Sequence, residues 1–184
     1  MIVFEGPDAV GKTTFVQCVK TLLEQANLPN EILSFPGNRP GTIGQLVYDL
    51  HHDPRKFGIG QISPIGLQAL HIAAHLDAIT HTILPAINSG KWIVLDRFWW
   101  STWAYGCAAG IDPRILNSLI SSEKLQWGQI TPSVVFLIRR TEPFRDEPAD
   151  DEFTILSNLY RELSSSEAAN YEIITMTDVE PDAA

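Results

Sequence analysis

The sequence predicts an α/β fold built on a parallel β-sheet of about five strands, with helices on both faces of the sheet. Three observations support this prediction. Short apolar runs alternate along the chain with segments whose apolar residues recur every three or four positions. Two of the runs, residues 92–95 and 133–138, are dominated by apolar side chains without the alternation of a half-exposed strand. Polar residues Asp96 and Arg97 follow the first of them, where parallel sheets bind ligands.

The first quarter of the chain predicts a strand, a loop, a helix and a second strand. Residues 1–5 are mostly apolar, and the glycines and proline of residues 6–11 break any regular pattern. The helix predicted from residue 12 to about residue 26 has an apolar stripe suited to packing on a sheet. The stripe consists of Phe15, Val16, Val19, Leu22 and Leu23. Residues 31–35 form the second predicted strand.

The rest of the chain continues the alternation. Thr42 is a predicted N-cap for a short helix to about residue 51. Ser63 followed by Pro64 predicts the start of a long helix to about residue 88. The remaining predicted elements are strands at residues 92–95, 133–138 and 171–176 and helices at residues 102–109, 113–124 and 151–163.

Length and composition fit one domain spanning residues 1–184, with 45% hydrophobic and 19% charged residues. The longest apolar run, residues 134–138, is far shorter than the roughly 20 residues of a membrane span. The first residues lack a basic region, so we expect neither a secretory signal nor a transit peptide, and we expect a cytoplasmic protein.

The net charge of −9 is concentrated near the carboxyl end of the chain. Residues 142–184 hold 12 of the 22 acidic residues and 2 of the 13 basic ones. Proteins that bind polymeric nucleic acid usually present a dense basic face, and this sequence offers none. Its dispersed arginines suit one small phosphorylated ligand instead.

Residues 6–13, Gly-Pro-Asp-Ala-Val-Gly-Lys-Thr, match G-x-x-x-x-G-K-[ST] between a predicted strand and a predicted helix. A chance match in a chain of this length has odds of roughly one in a hundred or less. The motif predicts the P-loop NTPase fold, with ATP and Mg²⁺ as ligands. Lys12 is expected to reach the β- and γ-phosphates and Thr13 to bind Mg²⁺. The predicted nucleotide-binding residues are Gly6, Ala9, Val10, Gly11, Lys12, Thr13 and Thr14.

Arginines and an aspartate elsewhere suggest how a second phosphate could be held. Asp96 is a candidate metal or water ligand, and Arg97 can bind phosphate oxygens in a bidentate manner. The alternative is a structural ion pair between these two side chains. Arg39 follows the second strand, where it could bind a phosphate or simply lie at the surface.

A short lid is predicted at about residues 139–151. Arg139, Arg140 and Arg145 bracket a polar segment after a buried strand, and such a segment could bring positive charge over a transferring phosphate. Acidic residues within the same segment make an ordinary solvated loop an equally good interpretation.

Three segments together resemble the thymidylate kinase family, whose members transfer the ATP γ-phosphate to dTMP. The resemblance covers residues 1 to about 160. The three segments are Phe4-Glu5-Gly6-Pro7-Asp8, Phe35-Pro36 followed by Arg39 and Thr42, and Asp96-Arg97-Phe98 followed by Ser101 and Ala104-Tyr105-Gly106.

The resemblance implies roles for individual residues. It places Asp8 near the acceptor, as a catalytic residue alongside Lys12, Asp96 and Arg97. It implies that Arg39 and Arg97 hold the acceptor phosphate and that Phe35, Ser101 and Tyr105 line the nucleoside pocket. It also implies a homodimer.

Two positions depart from the family pattern. His71 aligns with an aromatic residue that stacks on thymine, and His75 with an arginine that contacts the base. Imidazole can stack and can donate one hydrogen bond, but it lacks the fork of a guanidinium. Simple packing is the alternative, and zinc binding lacks a third ligand. Gly106 stands where many members have a glutamine that faces the pyrimidine.

Two other functions remain open at the level of sequence. A kinase acting on an uncharged nucleoside or a modified nucleotide would use the same P-loop. So would a nucleotide-binding protein without turnover, although intact Lys12, Thr13, Asp96 and Arg97 favour an enzyme.

Overall fold

The computed structural model describes residues 1–37, 39–128, 130–144 and 150–179. Five parallel strands form a sheet in the order β2-β3-β1-β4-β5. The strands are β1 (Ile2–Glu5), β2 (Asn30–Ser34), β3 (Trp92–Asp96), β4 (Val134–Arg139) and β5 (Ile173–Thr177). Each begins and ends within two residues of its predicted bounds, so the predicted parallel sheet is confirmed.

Helices fill the connections between the strands. They are α1 (Lys12–Gln25), α2 (Ile43–His52), α3 (Pro64–Ala78), α4 (Leu84–Asn88), α5 (Trp99–Ala108), α6 (Pro113–Trp127) and α7 (Asp150–Ser166). A 3₁₀ turn at Pro54–Phe57 follows α2, where the sequence predicted only the end of a helix. None of the helices in the described ranges is both long and apolar enough to cross a membrane.

The predicted long helix is present but interrupted. Ser63 caps α3 through a hydrogen bond from the backbone N–H of Gly66 (3.2 Å), and helical structure continues to Asn88 as predicted. A π turn at Ile79–Ile83 separates α3 from α4. Pro85 accounts for it, because proline has no N–H to donate and its ring would clash with the carbonyl four residues earlier in a regular helix.

The two faces of the sheet pack against different helices. Neighbouring strand residues point to opposite faces, as Leu95 and Val94 do, and both are fully buried. Leu95 belongs to a large cluster with side chains of α3 to α7, whereas Val94 packs with Phe15 and Val16 of α1. The predicted helices on both faces are therefore confirmed.

Helix α5 begins at Trp99, three residues before its predicted start. The Glu5 carboxylate explains the difference, since its Oε1 accepts hydrogen bonds from the backbone N–H groups of Phe98 (2.7 Å) and Ser101 (3.1 Å). The Phe98 N–H lies at the helix start, where backbone donors lack helical partners, and the Ser101 N–H is shared with the carbonyl oxygen of Phe98 (3.1 Å). A residue far away in sequence thus caps α5.

The strand order sets the position of the site. Strand β1 lies at the centre, paired with β3 so that Phe4 is level with Asp96. The loop after β1 is therefore adjacent to Asp96 and Arg97 at the carboxyl edge of the sheet, where ligands of parallel sheets bind.

Candidate active site

The loop of residues 6–13, called the P-loop below, adopts backbone conformations that its glycines permit. Gly6 and Gly11 have φ values of 142° and 94°. A Cβ atom on Gly6 would lie 2.2 Å from the carbonyl oxygen of Ile138, so no other residue fits there without moving β4. The chain therefore turns tightly from β1 into α1, and α1 begins at Lys12 with its N-terminus at the loop.

Lys12 is buried against the P-loop. Its side chain is 6% exposed, and Nζ donates a hydrogen bond to the carbonyl oxygen of Pro7 (2.5 Å). Burial, together with the positive charge of Arg97, lowers the Lys12 pKa to about 7. Desolvation is the larger cause, and a phosphate anion beside the ammonium would raise the pKa again.

Thr13 and Asp96 bring two oxygen atoms together. Thr13 Oγ1 donates a hydrogen bond to Asp96 Oδ2 at 2.9 Å, and Asp96 is buried at the end of β3. Mg²⁺ prefers hard oxygen ligands and commonly takes one or two from the protein while substrate phosphates and water supply the others. The oxygen atoms of Thr13 and Asp96 are therefore suitable ligands for Mg²⁺.

Asp8, Arg97 and Tyr105 form a hydrogen-bonded cluster beside the P-loop. The Arg97 guanidinium donates to Asp8 Oδ1, and the Tyr105 hydroxyl donates to Asp8 Oδ2 (2.5 Å). Burial disfavours the charged form of Asp8, but the charge of Arg97 and the bond from Tyr105 outweigh it and hold the pKa of this carboxyl below its usual range. Asp8 is therefore an ionised partner of Arg97 and a weak base.

The backbone of Arg97 has the positive φ of 79°, which a residue with a side chain rarely adopts. Its N–H donates to the carbonyl oxygen of Phe4 (2.9 Å), and its guanidinium donates to Ser101 Oγ (2.9 Å). These bonds hold the strained residue in place. Such strain is typical of functional sites, where surrounding contacts fix a side chain in one direction.

Glu5 contacts Ser101, which in turn binds Arg97 of this cluster. The sequence did not predict Glu5 as a site residue. It is fully buried, and its Oε2 accepts a hydrogen bond from Ser101 Oγ (2.7 Å). Burial raises the Glu5 pKa to about 7 against the opposing effects of Ser101 and Arg97. The sequence signal that could have identified Glu5 is an acidic residue at the end of a buried apolar strand. The hydroxyl of Tyr160 lies 2.8 Å from Ser101 Oγ, and no sequence pattern indicated that Tyr160 would be near the site.

One continuous cavity of about 1200 Å³ contains most of the predicted residues. From the P-loop it is lined by Ala9, Gly11, Lys12, Thr13 and Thr14. The predicted acceptor-site residues that line it are Asp8, Phe35, His71, His75, Arg97, Ser101 and Tyr105, together with Asp96. Two predicted P-loop residues do not face it, because the Val10 side chain is buried in the core and Gly6 lies beneath Ile138.

The two histidines of α3 have different surroundings. His71 Nε2 is buried without a hydrogen-bond partner among the described residues, and burial lowers the His71 pKa to about 3, with a further contribution from His75. His75 Nδ1 is 2.8 Å from Glu123 Oε2, and its ring stacks on Phe35 with centroids 4.0 Å apart. His75 thus stacks on a ring of the protein, and the stacking of His71 on a base stays a prediction.

Arg39 is not brought to the cavity. Its guanidinium pairs with Glu31 Oε1 (2.5 Å) and donates to the carbonyl oxygen of Ile32 (3.0 Å), both on β2. The Glu31 carboxylate thus binds the guanidinium that was expected to bind the acceptor phosphate. The predicted acceptor-phosphate site therefore contains Arg97 without Arg39 in this structure.

The predicted lid is partly described. Arg140 Nε donates to the carbonyl oxygen of Val10 (3.3 Å), and its guanidinium lies 3.2 Å from the centre of the Phe144 ring. Phe144 is close to Gly11, so this segment covers one side of the P-loop. Arg139 ends β4, with Nε buried and without a partner in the described ranges. Arg145 lies outside the described residues.

The central parallel sheet, the P-loop after β1 and the cavity beside it define a protein of the P-loop NTPase fold. A family model for thymidylate kinase matches residues 4–147. The chain therefore belongs to the thymidylate kinase family.

Individual relatives agree with this assignment. A thymidylate kinase of Chlorobium luteolum is 31% identical over 141 residues, covering 75% of this chain and 61% of that protein. A thymidylate kinase of Chlorobium chlorochromatii is 35% identical over 139 residues, covering 75% and 59%. The chain thus matches about three fifths of the length of these relatives. The crystal structure of thymidylate kinase from Ehrlichia chaffeensis shares the fold, with a TM-score of 0.74, 23% identity and coverage of 96% of this chain and 89% of that one.

Proposed function

We propose that this protein transfers the γ-phosphoryl group of ATP to dTMP, which yields dTDP and ADP. The observation that carries the proposal is the single cavity lined both by Lys12 and Thr13 of the P-loop and by the Asp8, Arg97 and Tyr105 cluster. A donor phosphate and an acceptor phosphate could meet there. The family name supports dTMP as the acceptor.

Phosphoryl transfer depends on positioning and on charge stabilisation rather than on covalent chemistry by the protein. Lys12 and the N-terminus of α1 would bind the transferring phosphate of ATP, and Arg97 would bind the acceptor phosphate. Asp8 and Tyr105 fix the orientation of the Arg97 side chain. Mg²⁺ at Thr13 and Asp96 would supply further neutralisation of phosphate charge.

The cluster favours a phosphate acceptor over a nucleoside hydroxyl. A hydroxyl acceptor would need a general base, whereas a phosphate acceptor is already anionic. Asp8 is the cavity carboxylate next to Arg97, and its lowered pKa makes it a weak base. The alternative of an uncharged nucleoside substrate therefore has less support.

The proposal extends to the organisation of the protein. Residues 1–184 would act as one kinase domain in which residues 139–151 form the lid, with Arg139 and Arg140 near the transferring phosphate. The contact of Arg140 with the carbonyl oxygen of Val10 supports this position. We further propose that the enzyme is a homodimer, as the resemblance implies, and that it is cytoplasmic.

A substrate panel tests the proposed reaction. ADP formation from ATP would be measured with dTMP, dUMP, dCMP, dAMP, dGMP, the matching ribonucleotides and thymidine, each with Mg²⁺ and with EDTA. We expect Mg²⁺-dependent turnover that is fastest with dTMP. Turnover confined to a purine nucleotide or to thymidine would contradict the proposed acceptor, and ATP binding without turnover on any acceptor would favour a non-catalytic nucleotide-binding protein.

Binding of ATP is expected to take up a proton above pH 7. The free protein holds Lys12 at a pKa of about 7, and polyphosphate charge at Lys12 would raise that value. Above pH 7 the free lysine is mostly neutral while the bound lysine is charged, so the contribution of Lys12 makes affinity fall as pH rises. Calorimetry at pH 8 in two buffers of different ionisation enthalpy would measure the uptake. The same uptake in Lys12→Met would contradict this source of the proton.

A further inference from the structure

A carboxamide lies buried in the wall of the cavity with an unused hydrogen-bonding atom. Gln68 on α3 is 5% exposed and lines the same cavity as the P-loop. Its Oε1 is inaccessible to solvent and has no partner among the described residues. Leaving a buried acceptor unsatisfied costs free energy that a ligand donor would recover. Gln68 is the only carboxamide among the described residues that line this cavity.

His71 provides a second unsatisfied atom one helical turn further along α3. Its Nε2 is buried without a partner in the described part of the chain, and the ring stays neutral because burial lowers its pKa to about 3. Residues three positions apart lie on the same face of a helix. A polar surface of two neutral side chains therefore faces the cavity.

Other walls of the cavity offer no comparable amide. Gly106 on α5 has no side chain and packs against Leu116, since a Cβ atom there would lie 2.5 Å from Leu116 Cδ2. His75 already uses Nδ1 in its contact with Glu123. Gln68 and His71 are thus the neutral polar groups on α3 whose hydrogen bonds remain to be made.

Arg97 connects this surface to the phosphate-binding end of the cavity. Its charge contributes to the lowered pKa of both Lys12 and His71, so it lies within electrostatic range of each. A nucleotide whose phosphate is bound at Arg97 could direct its base toward α3. A carboxamide carries an acceptor beside a donor, which complements a ring edge with an N–H beside a carbonyl. Thymine has this edge at N3 and C4.

We propose that Gln68 recognises the base of the acceptor nucleotide by pairing its carboxamide with the N3–H and the C4 carbonyl of thymine, while His71 makes the neighbouring polar contact. The proposal rests on the proposed function, in which dTMP is the acceptor. It assigns base recognition to a position that the sequence did not single out.

The variant Gln68→Met tests this role because it keeps the length of the side chain and removes both polar groups. We expect the KM for dTMP to rise about 10-fold to 100-fold, while the KM for ATP stays within about twofold of wild type. The melting temperature should stay equal or rise, since replacing an unsatisfied buried polar group by an apolar one is neutral or stabilising. A purely structural role predicts a lower melting temperature instead.

A modified substrate identifies the atom that Gln68 contacts. Wild type should discriminate strongly against 3-methyl-dTMP, which lacks the N3–H, and Gln68→Met should lose most of that discrimination. Gln25→Met, the same change at an exposed position of α1, serves as the control and should match wild type. If wild type phosphorylates dTMP and Gln68→Met has an unchanged KM or unchanged discrimination, the assignment of Gln68 is wrong while the proposed function stands. Absence of wild-type turnover with dTMP overturns both.

Discussion

Replacing Lys12 with methionine is expected to lower kcat for ADP formation about 100-fold or more. The lysine ammonium is placed where negative charge develops on the transferring phosphoryl group, and one such group contributes about 3 kcal/mol to transition-state stabilisation. Methionine is unbranched, only one atom shorter than lysine, and suits a site that is 6% exposed, so the fold should survive. Steady-state kinetics at saturating ATP and dTMP would measure the effect.

Lys20→Met is the matched control for this experiment. Lys20 lies on the same helix, but its side chain is 41% exposed and pairs with Glu24 at 3.8 Å, an i,i+4 contact of small energetic value. We expect wild-type kcat for this variant. A Lys12→Met enzyme that retains more than about a tenth of wild-type kcat would contradict the assigned role of the P-loop lysine, since one factor of ten corresponds to about 1.4 kcal/mol.

Features that depend on local sequence were predictable. The five strands were visible as apolar runs, and the N-caps at Thr42 and Ser63 were recognisable because each cap acts on N–H groups two or three residues away. The P-loop motif was equally local. Because parallel strands place their carboxyl ends on one edge, the motif and Asp96 could be expected to meet there before any coordinates were known.

Features that depend on distant partners were not predictable from one sequence. Arg39 and Glu31 are eight residues apart, and no helical or strand period in the sequence predicts that their side chains will pair. The contact of His75 with Glu123 joins α3 to α6 across the core. In each case the side chain has several possible partners, and the tertiary packing decides which of them is within reach.

The positions of the cavity residues on α3 were predictable only in part. The spacing of His71 and His75 placed both on the cavity face of α3, and the structure confirms that both line the cavity. The sequence could not show that Phe35 occupies one face of His75. Gln68 escaped notice because a glutamine on a helix is usually a surface residue, and its burial follows from the packing of α3 against α2, α5 and α6.

Glu5→Ala is expected to destabilise the protein by about 3 kcal/mol or more, because it removes the acceptor for three donors at once. The Phe98 N–H would lose its acceptor in a buried place, and the Ser101 N–H and hydroxyl would each lose one of their partners there. For a chain of this size the loss corresponds to a fall in Tm of roughly 6–12 °C. Thermal unfolding followed by circular dichroism would measure it.

Two further variants separate the cap from a general effect of losing an acid. Glu24→Ala removes an exposed carboxylate of α1 and should change the free energy of unfolding by less than about 0.5 kcal/mol. Glu5→Gln keeps a carbonyl oxygen for the two N–H groups, so its Tm should lie between those of wild type and Glu5→Ala. Because the same helix start carries Ser101, which binds Arg97, Glu5→Gln should also raise the KM for the acceptor more than the KM for ATP. Equal Tm values for Glu5→Ala and wild type would show that α5 does not depend on this carboxylate, and the early start of the helix would then need another cause.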